Sequence, residues 1–269
     1  MESGAKKKEN VFIKAYRCVA EWYGVLARHK FTTLAGTLVF FLIMSLTPFL
    51  FWLTLLFGNS DIDFVSLGLF DWAQDFLMTL KRNAELATVG VNVLFLATTL
   101  FSSTGFFYHL RRGGEIIYGY ERLKNGWKVR VSAALFTLGV LFLSVLAGGV
   151  LFATNLLTEG LPPVLAQLLR YAFSLPLSFL LAWLLNWYAC PYQSRPSETL
   201  YGSIITSAAW FLASVAFSIY LRFVSMQRLY GALSAVIVFL IWLYWLMICL
   251  VAGIVYNCHR GGARADKRL

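Results

Sequence analysis

Charge is what this sequence has least of. Asp, Glu, Lys and Arg together make up 13% of its 269 residues, about half their share in an average soluble domain. A chain so poor in charge cannot clothe a water-facing globule. With 59% hydrophobic residues and a mean hydropathy of +0.69, its solvent is mostly lipid. Acidic residues are the scarcer sign, 13 against 23 basic ones. The interiors of the long apolar stretches carry none. Ion-coupled transporters usually keep a carboxylate in the membrane despite its cost, so a simple carboxylate relay is not expected.

Other absences narrow the chemistry. The four cysteines, Cys18, Cys190, Cys249 and Cys258, form no CxxC pair, so no zinc or redox motif is offered. His29, His109 and His259 fall in different segments without HxxxH or HExxH spacing, and no metal site is expected. No GxSxG, P-loop or dinucleotide fingerprint occurs. The expectation is a non-enzyme that uses no cofactor or metal. The opening "MESGAKKKENVF" is not expected to be a signal peptide, because Lys14, Arg17 and Glu21 interrupt the apolar run behind it.

What is present is a set of six long apolar stretches, near 34–57, 86–110, 129–154, 164–190, 198–222 and 230–257. Crossing about 30 Å of hydrocarbon takes roughly 20 helical residues, and each stretch is long enough. "GNSDID", "RRGG", "EGLPP", "YQSRPSE" and "SMQR" read as the turns between them. The net charge of +10 is then read by location. The N-terminal arm, the second loop, Arg195 and the tail hold 18 of the 23 basic residues on one side. That bias puts both termini in the cytoplasm and makes a nucleic-acid partner unnecessary. Arg170 and Arg222 lie near outer ends, where their stems snorkel to the interface.

Two further segments are amphipathic. Phe12, Tyr16, Val19, Tyr23 and Leu26 recur at helical spacing, as do Val65, Leu69, Trp72, Phe76 and Leu80. They read as helices on the inner and outer membrane faces, or as caps on the bundle. The fold class is all-α, a polytopic membrane protein with six transmembrane helices plus two interfacial amphipathic helices. Residues 1–31 form a cytoplasmic arm, 32–257 the membrane domain and 258–269 a basic tail.

The polar groups inside the spans are mild. Pro48 and Pro176 each lie about 13–18 Å from an outer end, near the midplane. Proline removes a helical hydrogen bond, and Ser45 and Ser174 stand close enough to satisfy a freed carbonyl. Helix breaks at corresponding places in two three-helix halves point to a transport site, with Thr47, Asn92 and Asn186 as further candidate polar groups. Ordinary proline kinks are the alternative. Small residues such as Gly36, Gly139, Gly149 and Gly253 read mainly as close helix packing.

"TTLAG" at 32–36, "SLTP" at 45–48, "CPYQSRP" at 190–196 before Gly202, and "YGALSAVIVFLIWLYWLMICLVAG" at 230–253 resemble the YihY/BrkB family of bacterial inner-membrane proteins. The motif positions carried over are Gly36, Pro191, Gly202, Tyr230, Gly231, Trp242 and Gly253. The family was once labelled a ribonuclease, and the missing nuclease residues here agree with the abandonment of that label. The resemblance implies serum resistance or the handling of lipids and lipopolysaccharide precursors, without a settled activity. One position departs: where the family commonly has an acidic residue, this chain has Val255. The functional expectation is transport or scrambling of a lipid or other amphiphile for envelope maintenance, with membrane lipids as partners. A non-transporting scaffold that recruits an envelope-assembly protein through the loop from Arg111 to Arg130 is the alternative.

Overall fold

The computed structural model describes residues 11–57, 89–119, 126–158, 162–191, 196–223 and 232–265. Every element among them is helical: α1 (Val11–Arg28), α2 (Phe31–Phe57), α3 (Val89–Ile117), α4 (Gly126–Thr158), α5 (Pro163–Ala189), α6 (Leu200–Phe223) and α7 (Ala232–Ala265), with a short 3₁₀ turn at Pro196–Glu198. In lipid a helix satisfies its own backbone polar groups, which is why long apolar runs adopt this form.

Among the described residues, four segments are long and apolar enough to cross a membrane: Gly126–Ser144, Ala172–Ala189, Leu200–Tyr220 and Ile237–Gly261. A fifth is counted if Ala20–Arg28 and Phe31–Ser45, bent by 62°, form one span. The bend falls at Lys30, whose φ of 48° is the left-handed conformation that commonly ends a helix. The acidic amphipathic segment expected around 61–80 lies outside the described residues, as do Tyr230 and Gly231.

The helices pack most extensively as α2 on α3 and α6 on α7, with α7 also against α2, and α4 between α3 and α5. Buried apolar side chains gather toward one end of the bundle. They include Ala35 and Leu38 of α2, Leu110 of α3, Ala189 of α5, and Leu250 and Ile254 of α7. This is the end to which the N-termini of α2, α4 and α6 and the C-termini of α3, α5 and α7 point, and it carries Arg111, Arg112, Arg130 and Arg260. It is called the basic end below. Helix α1 is held to it by Trp22, stacked on Tyr256 at 5.5 Å and edge-on to His259 at 5.7 Å. The exposed side of α1 shows Tyr16 and Tyr23.

One expected turn is not a turn. "RRGG" lies inside α3, which continues to Ile117, and Gly119 (φ 64°) follows its end. The glycines are there for packing. A methyl group on Gly114 would run into the Ala189 carbonyl at the end of α5, and one on Gly113 into the Leu34 side chain. Extending α3 also carries Glu115 into the bundle, where it is fully buried. The described interior therefore does contain a carboxylate, contrary to the expectation drawn from spans ending at residue 110.

Candidate functional site

Two polar clusters occupy the basic end. The first joins α5, α6 and α7. Asn257 donates from Nδ2 to Asn186 Oδ1 at 3.1 Å and to the Thr199 carbonyl at 3.2 Å. Its Oδ1 accepts the Gly202 N–H at 2.8 Å. Asn186 donates in turn to the Ala182 carbonyl at 2.9 Å and to Thr206 Oγ1 at 3.3 Å. The Thr206 hydroxyl donates to the Gly202 carbonyl at 2.8 Å. All of these side chains are buried. Gly202 and Gly253 allow the network to close. A methyl group on Gly253 would sit 2.6 Å from the Gly202 carbonyl oxygen, and one on Gly202 would meet both the Gly253 carbonyl and the Asn257 amide. Small residues at a membrane helix crossing let interhelical hydrogen bonds form at short range.

The second cluster ties α3 to the end of α5. Arg111 donates from Nη1 to the Tyr188 carbonyl at 2.7 Å and to that of Cys190, and from Nη2 to the Pro191 carbonyl at 3.2 Å. These carbonyls lie at a helix C-terminus, where unpaired acceptors and the helix dipole both favour a cation. Glu115 holds Arg112 at 2.6 Å and faces Arg111 Nε at 3.9 Å. Its Oε1 is buried without a hydrogen bond among the described residues. Tyr118, in the turn after α3, lies close to the thiols of Cys190 and Cys258. Burial pushes its phenol well above its ordinary pKa, and the neighbouring thiols add to the shift. Among the described residues no group of three His, Cys, Asp or Glu side chains could hold a metal.

The predicted site residues divide into three groups. Asn186, Pro191, Gly202 and Gly253 come together at the basic end. Ser45 and Pro176 do not join them. The helices run through both Pro48 and Pro176 without interruption, so neither proline ends or breaks its helix. The Ser45 hydroxyl donates to the Leu42 carbonyl at 2.8 Å, and not to the carbonyl of Met44 that Pro48 leaves unpaired. Ser174 is half-buried in α5, and α2 and α5 share no extensive interface among the described residues. The side chains of Thr47, Pro48 and Asn92 lie outside the described set. A methyl group on Gly36 would have nothing within 4 Å, so close packing does not explain this glycine. Trp242 of α7 stacks on Phe217 at 5.3 Å, and its buried indole N–H has no acceptor among the described residues. Val255 is apolar core.

Asn257, Thr206 and Glu115 are not among the residues the sequence singled out, and Arg111 was read only as the start of a loop. Asn257 was within sight: it follows Gly253 by four residues, at the end of the apolar run. Arg111 and Glu115 were hidden by reading "RRGG" as a loop.

Comparison with known proteins gives a consistent picture. The family model described as Virulence factor BrkB matches residues 22–268. UPF0761 membrane proteins of Coxiella burnetii, from strains Dugway and Nine Mile among others, are 28% identical over 184 residues, covering 66% of this chain and 65% of theirs. A UPF0761 membrane protein of Chromobacterium violaceum is 29% identical over 178 residues, covering 65% of this chain and 40% of its own length. The alignments thus span less than two thirds of these relatives. No solved structure matches the chain.

Proposed function

Since the chain belongs to the Virulence factor BrkB family and is an all-α polytopic membrane protein, we propose that it accommodates and moves an amphiphile, most simply a phospholipid or related envelope lipid, across a bacterial inner membrane without enzymatic chemistry or a cofactor. In this reading six helices span the bilayer, and the basic end, with both termini, faces the cytoplasm. The observation that carries the reading is the arrangement of guanidinium groups on aromatic rings at the basic end. Arg130 and Arg112 lie over Tyr108 at 5.0 and 5.6 Å, and Arg260 lies over Tyr201 at 3.3 Å. Exposed apolar side chains, Leu135 and Phe142 of α4 and Ile204 and Leu212 of α6, follow further along these helices. Guanidinium groups suit phosphate, anionic headgroups gather at a basic cytoplasmic face, and acyl tails can stay in the bilayer while only the head moves. The amide network and the Arg111 clamp hold the helices that frame this end.

Purified protein in liposomes with labelled lipids tests the proposal. Headgroups should cross faster than in protein-free liposomes, and Arg130→Gln, which removes a guanidinium from the Tyr108 ring, should slow crossing more than Arg170→Gln does. Crossing no faster than the protein-free rate for several lipid types, with any co-purifying partner included, would remove the transport reading. The scaffold reading is favoured by one observation, the exposure of Ile116 near the end of α3. It would be supported if Ile116→Gln, which leaves Arg112 and Arg130 in place, abolished function in cells while Arg130→Gln kept it.

A further inference from the structure

We infer that the seam between α3 and α4 at the basic end is a binding site for the phosphate group of a membrane lipid, with Arg130 and Arg112 on the headgroup and the outer stripe of α4 along a tail. The inference concerns binding and stands whether or not the lipid is moved.

Arg130 is exposed and its guanidinium carbon lies 5.0 Å from the Tyr108 ring centroid, while that of Arg112 lies 5.6 Å from the same ring. The two cations differ in their partners. Arg112 is bound to Glu115; Arg130 has no carboxylate in ion-pair range among the described residues. Two guanidiniums gather on one aromatic ring, and among the described residues Glu115 pairs with Arg112 and not with Arg130. Their planar forks match phosphate oxygens. The first turn of α4 lies against the same place: a methyl group on Gly126 would be 3.8 Å from Arg112 Nη2 and 4.0 Å from the Tyr108 hydroxyl. The backbone N–H groups opening this 33-residue helix have no partners within it and add positive potential.

A free anion would need nothing more. The surface below the cations selects a lipid. From Trp127, which is 77% exposed, an unbroken stripe descends α4 through Val131, Leu135, Leu138 and Phe142, all exposed, at successive spacings of four, four, three and four residues. At 1.5 Å per residue the stripe from Trp127 to Phe142 is about 22 Å long, enough for one acyl chain within a leaflet. Trp127 stands where aromatic side chains favour the membrane–water interface. Head and tail sites are thus continuous on one helix.

The test uses the full chain in nonionic detergent, titrated with short-chain phosphatidylglycerol and read by native mass spectrometry. Arg130→Gln should weaken lipid binding about tenfold, the effect of one lost charge-assisted hydrogen bond. Lys128→Gln removes an exposed charge from the same turn and should change binding by no more than about twofold. Leu135→Gln, which leaves every cation in place, should also weaken the lipid complex. Inorganic phosphate at the lipid's concentration should leave the complex intact. Wild-type binding in Arg130→Gln, equal losses in Arg130→Gln and Lys128→Gln, or displacement by inorganic phosphate would each overturn the site as a lipid site.

Discussion

Gly202 and Gly253 carry a demand that no other residue type meets. Each faces backbone and amide atoms of the neighbouring helix at a distance a methyl group cannot share. At each position one obstacle is a backbone carbonyl, that of Gly253 against Gly202 and that of Gly202 against Gly253, so relief requires α6 and α7 to separate and the Asn257 bonds to lengthen. Gly202→Ala and Gly253→Ala should each destabilise the protein by about 1–3 kcal/mol, the usual range for overpacking, read as a lower thermal midpoint in detergent. Gly36→Ala is the contrast. With open space around it, alanine in a helix should be neutral or stabilising by up to about 1 kcal/mol. Equal effects at Gly36 and Gly202 would contradict the packing argument. Of these residues, Gly202 and Gly253 were legible because they sit inside recognisable motifs. Asn257 was not singled out: an asparagine at the end of an apolar run looks like the start of a tail until the helix is seen to continue to Ala265.

At the scale of elements, one arginine fixes how α3 meets α5. Arg111 reaches three carbonyls around the C-terminus of α5 with one planar group. Lysine keeps the charge and loses the fork, so Arg111→Lys should cost about 1–3 kcal/mol in thermal unfolding. An unchanged midpoint would show that the clamp adds nothing beyond charge. Long apolar helices could be read from the chain because lipid imposes a length and a composition on them. The "RRGG" segment could not, because arginine and paired glycine are local signals of a stop. What overrides them is the crossing of α3 over the end of α5, a relation between residues 114 and 189. The prolines show the reverse case. They were plain in the sequence, but whether they break a helix depends on its surroundings, and α2 and α5 both continue through them.

For the whole molecule, the sidedness of the basic end decides what the clusters can meet. If it faces the cytoplasm, Arg130, Arg112 and Arg260 look onto anionic inner-leaflet headgroups, and the free thiols of Cys190 and Cys258 stand on the reducing side. If it faces outward, the lipid reading loses its electrostatic basis. Reporter fusions at Asp71 and Leu269 test this most directly, with one reporter active only inside the membrane and another only outside. The account predicts opposite sides, with Leu269 in the cytoplasm and Asp71 outside. Both fusions on one side, or Leu269 outside, would contradict it.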